Sequence, residues 1–281
     1  MKLTNAKIII CCITLLSAAL AADSRKEFKY TVANGASVNV MNQFGTVSLR
    51  PASGNQVVVV ANTHSDKVEA DCSQSGNRIE VRTHFLQKAN DDEGKVDYEI
   101  QVPNGATISA QVANGSITAE NLNGDVTLRG DSASLEAHDI NNAHVHAHTV
   151  SGPITLANIS GGHVEAGTGS GKVMLTNVTG PSVTVNTTSS AISYDGDFGS
   201  GGAYQLSSHS GPIDVALPAS ASVELKAESV SGSVENDFPL QKKKHSDFTP
   251  QTGKSFQGYA NSGSSSVQLH SFSGTIRVKK R

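Results

Sequence analysis

Aromatic residues are scarce in this chain, and tryptophan is absent. Phe, Tyr and Trp together make up 5% of the 281 residues, and none lies between Glu99 and Ser193. A conventional globular core obtains much of its bulk from aromatic side chains. A core built from Val, Ile, Leu and Ala instead favours thin, stacked layers of strands.

Cysteine is almost missing as well. Cys11 and Cys12 lie in the N-terminal apolar run, which leaves Cys72 as the one cysteine of the remaining chain. An exported protein that depends on disulfides carries an even number of cysteines. Packing and hydrogen bonds must therefore hold this chain together. No motif surrounds Cys72, and this favours an inert thiol over a reactive one.

The chain also lacks a basic excess and the common active-site motifs. Its formal net charge is −3 at pH 7, whereas a nucleic-acid-binding domain is usually strongly basic. It contains no phosphate loop, nucleophile elbow or zinc-protease helix motif. We therefore expect no nucleic-acid partner, no cofactor and no catalytic residues.

The first residues have the pattern of a secretory signal peptide. Lys2 and Lys7 precede an apolar run from Ile8 to Leu20, and the small residues of an expected cleavage site end at Ala22. This three-part pattern is typical of export signals, and the run is shorter than the about 20 residues that a bilayer crossing needs. We expect residues 1–22 to be a signal peptide, an uncleaved anchor being the alternative. The chain is then periplasmic, on the cell surface or secreted, with no membrane-spanning segment after signal removal.

Apolar residues recur in the middle of the chain at a fixed interval. Three separate ladders share a step of 19 residues. They are Val126, Val145, Val164 and Val183; Ile140, Ile159 and Val178; and Ile154, Val173 and Ile192. A fixed period of this kind indicates a repeat architecture in which each coil stacks on the previous one.

Each repeat contains two short strands. Ile154 and Leu156 alternate with polar residues, as do Val164 and Ala166, and this two-residue period is that of a strand with one buried face. Gly, Ser and Asn between the strands supply turns. One coil alone cannot bury its apolar face, whereas stacked coils together enclose a continuous apolar interior. The sequence predicts an all-β fold, a parallel two-sheet β-solenoid (a β-helix or β-roll type) with about 19 residues per coil; the alternative is an antiparallel β-sandwich.

We expect residues 23–281 to form a single elongated domain. Its predicted parts are a less regular N-terminal part (23–111), regular coils (112–236), an inserted loop (237–266) and closing strands (267–281). Aromatic residues cluster in the flanks, where a solenoid needs to cover its exposed end coils.

Three segments resemble a known family. They are the strand and turn from Val96 to Gly105, the unit from Val112 to Ile117, and the closing unit from Ser273 to Val278. Together they are similar to a bacterial domain family of unknown function whose members are named as proposed adhesins. The resemblance extends from about Phe28 to Lys279. It implies an exported β-solenoid and brings no catalytic residues.

Histidines form the sharpest polar feature. Alternation points His144, His146 and His148 to the outer face, and one 19-residue period places His163 beside His144 and Glu165 beside His146. The set His144, His146, His163 and Glu165 would form a square of about 5 by 7 Å. Imidazole and carboxylate suit zinc or copper. The competing interpretation is a solvated polar ladder, since an outward sheet shields no metal from water.

The inserted loop is a candidate binding surface. It combines lysines with aromatic residues, namely Lys242, Lys243, Lys244, Phe248, Phe256 and Tyr259. Such a segment can contact anionic glycans or lipid headgroups, or its aromatics can fold back and cover the last coil. The expected partner is an unknown envelope component, glycan or protein, with self-association through the C-terminal end as a further expectation.

The predicted function is a non-enzymatic exported envelope or surface protein, an adhesin or another binding or structural module. One alternative is a carbohydrate-active enzyme on a β-helix, for which Asp195, Asp197 and Asp214 would be the acidic candidates. Asp195 and Asp197 lie in a turn-like stretch, where Asp commonly caps backbone amides. A surface metal-binding protein that uses the histidine ladder is the other alternative.

Overall fold

Every regular element in the described part of the chain is a β-strand. The structure, a computed structural model, describes residues 24–242 and 250–281. Its strands are β1 (Ser24–Thr31), β2 (Ser37–Pro51), β3 (Gln56–Thr63), β4 (Val68–Ser75), β5 (Arg78–Phe85), β6 (Val96–Val102), β7 (Thr107–Glu120), β8 (Val126–Gly130), β9 (Ser134–Asn141), β10 (Val145–Thr149), β11 (Ile154–Ser160), β12 (His163–Thr168), β13 (Val173–Val178), β14 (Ser182–Thr187), β15 (Ile192–Asp195), β16 (Ala203–Ser208), β17 (Ile213–Leu217), β18 (Val223–Ser229), β19 (Val234–Asn236), β20 (Ser255–Ala260), β21 (Ser265–Ser271) and β22 (Ile276–Lys280).

The strands form two rows around one core. The first row runs β4-β5-β2-β7-β8-β10-β12-β14-β16-β21-β18-β20, and the second runs β1-β3-β6-β2-β7-β9-β11-β13-β15-β17-β22-β19. The long strands β2 and β7 contribute to both rows, so the hydrogen-bonded network is continuous. Among the described residues, no helix is long and apolar enough to cross a membrane. The predicted signal peptide, residues 1–22, lies outside the described residues.

The parallel register of the middle coils confirms the predicted repeat. Val145 is the Cα partner of Val126 on one side and of Val164 on the other, and Val173 lies between Ile154 and Ile192. All of these side chains are buried in the core. Like residues therefore stack on like at a step of one coil, and the predicted two-sheet solenoid is the observed fold.

A buried hydroxyl and a glycine shape the turn from the first row to the second. The Thr168 hydroxyl accepts a hydrogen bond from Gly171 N at 3.0 Å and donates one to the Gly152 carbonyl at 3.3 Å. A Cβ atom on Gly171 would lie 1.6 Å from that carbonyl oxygen. Adjacent coils approach too closely here for any side chain. This contact explains the glycine of the recurring Ser-Gly turns.

The N-terminal end departs from the parallel pattern. Strands β1, β3 and β6 pair antiparallel at the end of the second row, and β4 and β5 form an antiparallel pair at the end of the first. Tyr98 of β6 is buried, and the rings of Phe44 and Phe85 meet edge to face at 6.4 Å. Aromatic side chains thus cover this end of the aliphatic core, as expected from the flanks.

The C-terminal end contains an arrangement that the spacing did not reveal. Val267 of β21 pairs with Tyr204 of β16 and with Leu225 of β18, so β21 lies between two earlier strands. Similarly, β22 lies between β17 and β19. The predicted closing segment 267–281 therefore fills a gap inside the stack. The outermost strand of the first row is β20, which pairs antiparallel with β18.

Candidate functional site

The outward face of the first row carries the histidines. In β10, Val145 and Ala147 are buried, and this alternation turns His146 and His148 outward. Glu165 of β12 is the Cα partner of His146. The side chains of His146, His148 and Glu165 are 42%, 43% and 46% exposed, so each is half covered by its neighbours.

These three side chains converge on one point. His146 Nδ1 lies 3.3 Å from Glu165 Oε2, and His148 Nε2 lies 3.6 Å from Glu165 Oε1. One potential ligand atom from each residue falls within 4.8 Å of the other two. The carboxylate thus sits between two imidazoles that come from positions two residues apart on one strand.

A glycine permits this convergence. Gly167 is the Cα partner of His148, and a Cβ atom at position 167 would lie 2.7 Å from His148 Nδ1. The His148 ring therefore occupies the space that a side chain at 167 would fill, and from there it reaches diagonally to Glu165. The signal that could have placed His148 in the site is a glycine one period further along the chain.

The other two predicted metal ligands form a separate pair. The rings of His144 and His163 stack with centroids 5.0 Å apart and an interplanar angle of 14°. His144 Nδ1 accepts a hydrogen bond from His163 N at 3.3 Å, so this ring nitrogen already has a partner. The structure thus unites His146 and Glu165 of the predicted set, adds His148, and sets His144 and His163 beside them.

A shallow groove adjoins the three converging side chains. It has a volume of about 520 Å³ and lies where the first row bends into the Ser-Gly turns. Its walls include His148, Arg129, Asp131 and Asn186, and Gly167 lies in its lining. Gly167, over which the His148 ring lies, contributes no side chain to the lining of the groove.

The acidic residues weighed for catalysis have structural partners or lie in a turn. Asp195 Oδ1 is 2.7 Å from Arg281 Nη1, and Asp214 Oδ1 is 3.4 Å from Arg277 Nη1. Asp197 accepts a hydrogen bond on its backbone carbonyl from the Tyr194 hydroxyl at 2.9 Å, whereas its Oδ1 atom is buried without a hydrogen-bond partner. These contacts fit roles in the fold.

Burial raises the pKa of the Cys72 thiol to about 12, so this thiol remains protonated at neutral pH.

The predicted basic and aromatic surface is described in part. Lys243, Lys244 and Phe248 lie outside the described residues. Lys242 is exposed, and Phe256 of β20 packs against the core. Tyr259 is half-buried on the same strand. Phe256 thus contributes to covering the end coil, whereas the predicted partner contact stays a prediction.

Comparison with known proteins gives one family. The family described as Toastrack DUF4097 matches residues 37–279. Similar solved structures include a proposed cell adhesion protein from Clostridium sporogenes ATCC 15579, with 14% identity, a TM-score of 0.32, and coverage of 92% of this chain and 100% of that one. A proposed adhesin from Parabacteroides merdae ATCC 43184 has 11% identity, a TM-score of 0.31, and coverage of 90% and 95%. A proposed adhesin from Bacteroides fragilis NCTC 9343 has 10% identity, a TM-score of 0.30, and coverage of 93% and 99%. No curated protein matches this chain.

Proposed function

The chain belongs to the Toastrack DUF4097 family, and we propose that it is an exported, non-enzymatic binding module of the cell envelope or cell surface. The signal-peptide pattern of residues 1–22 supports export. We further propose that its ligand is an extended polar chain, a glycan, which lies in the groove beside Gly167.

The groove is the observation that carries this proposal. Its walls offer the guanidinium of Arg129, the carboxylate of Asp131 and the amide of Asn186, all of which form hydrogen bonds with hydroxyl-rich ligands. Arg129 and Asn186 lie on β8 and β14, three steps apart in a row of parallel strands that repeat about every 4.8 Å, so the hydrogen-bonding groups are spread along the groove. Enclosed, mostly apolar cavities suit small apolar molecules. An open groove with charged and amide groups on its walls suits a chain that is hydrogen-bonded along its length.

The carbohydrate-active enzyme is the competing function. Glycoside hydrolysis uses two carboxyl groups on either side of the bond that breaks, about 5 to 9.5 Å apart. Among the described residues that line the groove, Asp131 supplies the one carboxylate. Asp195 and Asp214 are engaged by arginines elsewhere. This distribution favours binding without cleavage.

Incubation of the exported chain with isolated envelope polysaccharides tests this proposal. We expect retention of the protein on at least one polysaccharide and no release of reducing ends. The double variant Arg129→Ala/Asn186→Ala should bind about tenfold more weakly, because each lost hydrogen bond contributes about 0.5–1.5 kcal/mol. The double variant Glu136→Ala/Thr155→Ala alters the outward face of the second row and should bind like the wild type. Release of reducing ends, or equal affinity for all three proteins, would contradict the proposal.

The C-terminal end is the second candidate contact surface. It comprises β20, the exposed Lys242 and the residues Lys243, Lys244 and Phe248 of the predicted binding surface. Gln241 already pairs with Tyr259 on the outer side of β20, and the rest of that edge can pair with another chain. We propose self-association or envelope contact there as the alternative. Deletion of residues 243–249, bridged by a Gly-Ser linker, leaves β20 in place. Loss of retention or of oligomeric mass in this variant alone would assign binding to the C-terminal end and reject the groove.

A further inference from the structure

We propose that His146, His148 and Glu165 form a binding site for a divalent late first-row transition metal ion, zinc or copper. Two imidazoles and one carboxylate form a donor set that these ions accept. The inference concerns the three side chains themselves. It stands whether or not a glycan occupies the neighbouring groove.

Two distances between donor atoms are close to those of a metal site. In a tetrahedral zinc site with bonds of about 2.0–2.1 Å, neighbouring ligand atoms lie about 3.3 Å apart. His146 Nδ1 and Glu165 Oε2 are 3.3 Å apart, and His148 Nε2 is 3.6 Å from Glu165 Oε1. One donor atom of each residue lies within 4.8 Å of the other two, so rotation of the half-covered side chains would bring all three onto a common ion.

The strands fix the positions of these side chains. Val145, Ala147, Val164 and Ala166 alternate with the site residues and are buried, so neither β10 nor β12 can slide without exposing its apolar face. The hydrogen-bonded register then holds Glu165 beside His146. This rigidity replaces part of the support that a surface site otherwise lacks.

The surrounding charges are compatible with one bound cation. From β8, Thr127 faces His146 and Arg129 faces His148; from β14, Thr184 faces Glu165. Of the described residues, Arg129 is the one cation in direct register with the site. The Glu165 carboxylate lies 3.3 Å from His146 Nδ1 and 3.6 Å from His148 Nε2, so its negative charge favours a cation between the three side chains.

Three protein ligands leave one coordination position open. In zinc sites with three protein ligands, water or an added ligand takes the fourth position. His148 also lines the groove, so this position lies at the edge of the groove. An oxygen donor of a ligand in the groove could complete the coordination.

Calorimetric titration of zinc into the exported chain, without a histidine tag and freed of metal by a chelator, tests the site. We expect one ion per chain. Glu165→Gln preserves the size of the side chain and removes its charge, and His148→Ala removes one ligand, so each should weaken binding at least tenfold. The matched control is His144→Ala/His163→Ala, which alters the stacked neighbours and should change the affinity less than twofold.

Two further readouts make the outcome decisive. Unchanged thermal unfolding of each variant shows that lost binding comes from the site and not from the fold. Cobalt titration should give the absorption bands of a low-coordinate ion in the wild type and lose them in His148→Ala. Absence of both heat and bands in the wild type overturns the proposal. Binding that survives in His148→Ala and disappears in the His144/His163 control also overturns it, because the stacked pair is then the site.

Discussion

The middle coils and the two ends of this molecule cover their apolar side chains in different ways. In the middle, parallel strands keep a step of 19 residues, and aliphatic side chains stack on their equivalents from the next coil. At the ends, antiparallel strands and aromatic side chains replace this pattern. Repetition can extend a stack, but it cannot end one, because each coil leaves an open edge for the next.

Charged and polar side chains make specific contacts at the N-terminal end of the molecule. Asp97 accepts hydrogen bonds from Thr46 N at 2.8 Å and Thr46 Oγ1 at 2.7 Å, and it lies 2.7 Å from His64 Nε2. The outermost strand, β1, exposes Arg25 and Lys26. Exposed charges on an edge strand discourage pairing with another chain. The N-terminal end therefore adds these side-chain contacts to burial, whereas the middle coils combine stacked aliphatic side chains with hydrogen bonds at the turns.

Replacement of Val173 by Asp should have the largest effect. Val173 is fully buried between Ile154 and Ile192, and an unpaired charge in an apolar column costs several kcal/mol, about 3–5. Urea unfolding followed by circular dichroism measures the loss. The control is Met174→Asp on the outward face of the same strand, which should cost less than about 1 kcal/mol. Equal losses in the two variants would show that the register is wrong.

Replacement of Gly171 by Ala tests the close approach of the coils. The added methyl group would meet the Gly152 carbonyl oxygen at 1.6 Å, and we expect a loss of about 1–3 kcal/mol from forced backbone shifts. Gly54→Ala is the comparison at the N-terminal end. That glycine has a φ of +83° and no atom within 4 Å of an added Cβ, so about 1 kcal/mol of backbone strain is expected. Thermal unfolding of both variants should rank Gly171→Ala as the more damaging.

The smallest expected effect concerns Asp97 and pH. Burial alone would raise the pKa of Asp97, but hydrogen bonds from Thr46 and His64 outweigh burial and lower it. A lowered pKa in the folded state means that the charged carboxylate stabilises the fold above pH about 4, and that this contribution is lost as the pH falls through the folded value. Asp97→Asn should cost about 1–2 kcal/mol at pH 7. Unfolding curves from pH 7 to pH 2 should show the difference from wild type shrinking below pH 4; a constant difference would contradict this role.

Periodicity in the sequence predicted the middle of the fold but not its C-terminal topology. The ladders through Val145 and Val173 specify register because a one-residue slip would expose every apolar side chain. Ile276 lies between Ile213 and Val234, and this position depends on where the chain rejoins the sheet after the long segment that follows β19. No local spacing reports such a return. Aromatics in the flanks nevertheless indicated where the stacking ends.

The sequence predicted two of the three side chains that converge in the candidate site, His146 and Glu165. Register placed Glu165 beside His146, and the structure agrees. The inclusion of His148 depends on the space that Gly167 leaves for its ring, and the separation of His144 and His163 depends on how their rings turn. Strand alternation determines which face a side chain occupies. It does not determine which neighbour the end of the side chain contacts.

The groove and the proposed metal site both depend on adjacent coils lying in a parallel 19-residue register, and a cysteine cross-link measures this directly. Thr155 and Met174 are Cα partners on the outward face of the second row. In a chain whose own cysteines are replaced by serine, Thr155→Cys/Met174→Cys should form a disulfide under mild oxidation, because neighbouring strands lie about 4.8 Å apart. Trypsin cleavage at Lys172 should then leave the two fragments joined. The double variant Thr155→Cys/Ser193→Cys places the two cysteines two strands apart and should not form a disulfide. A link in the second pair and none in the first would contradict the account.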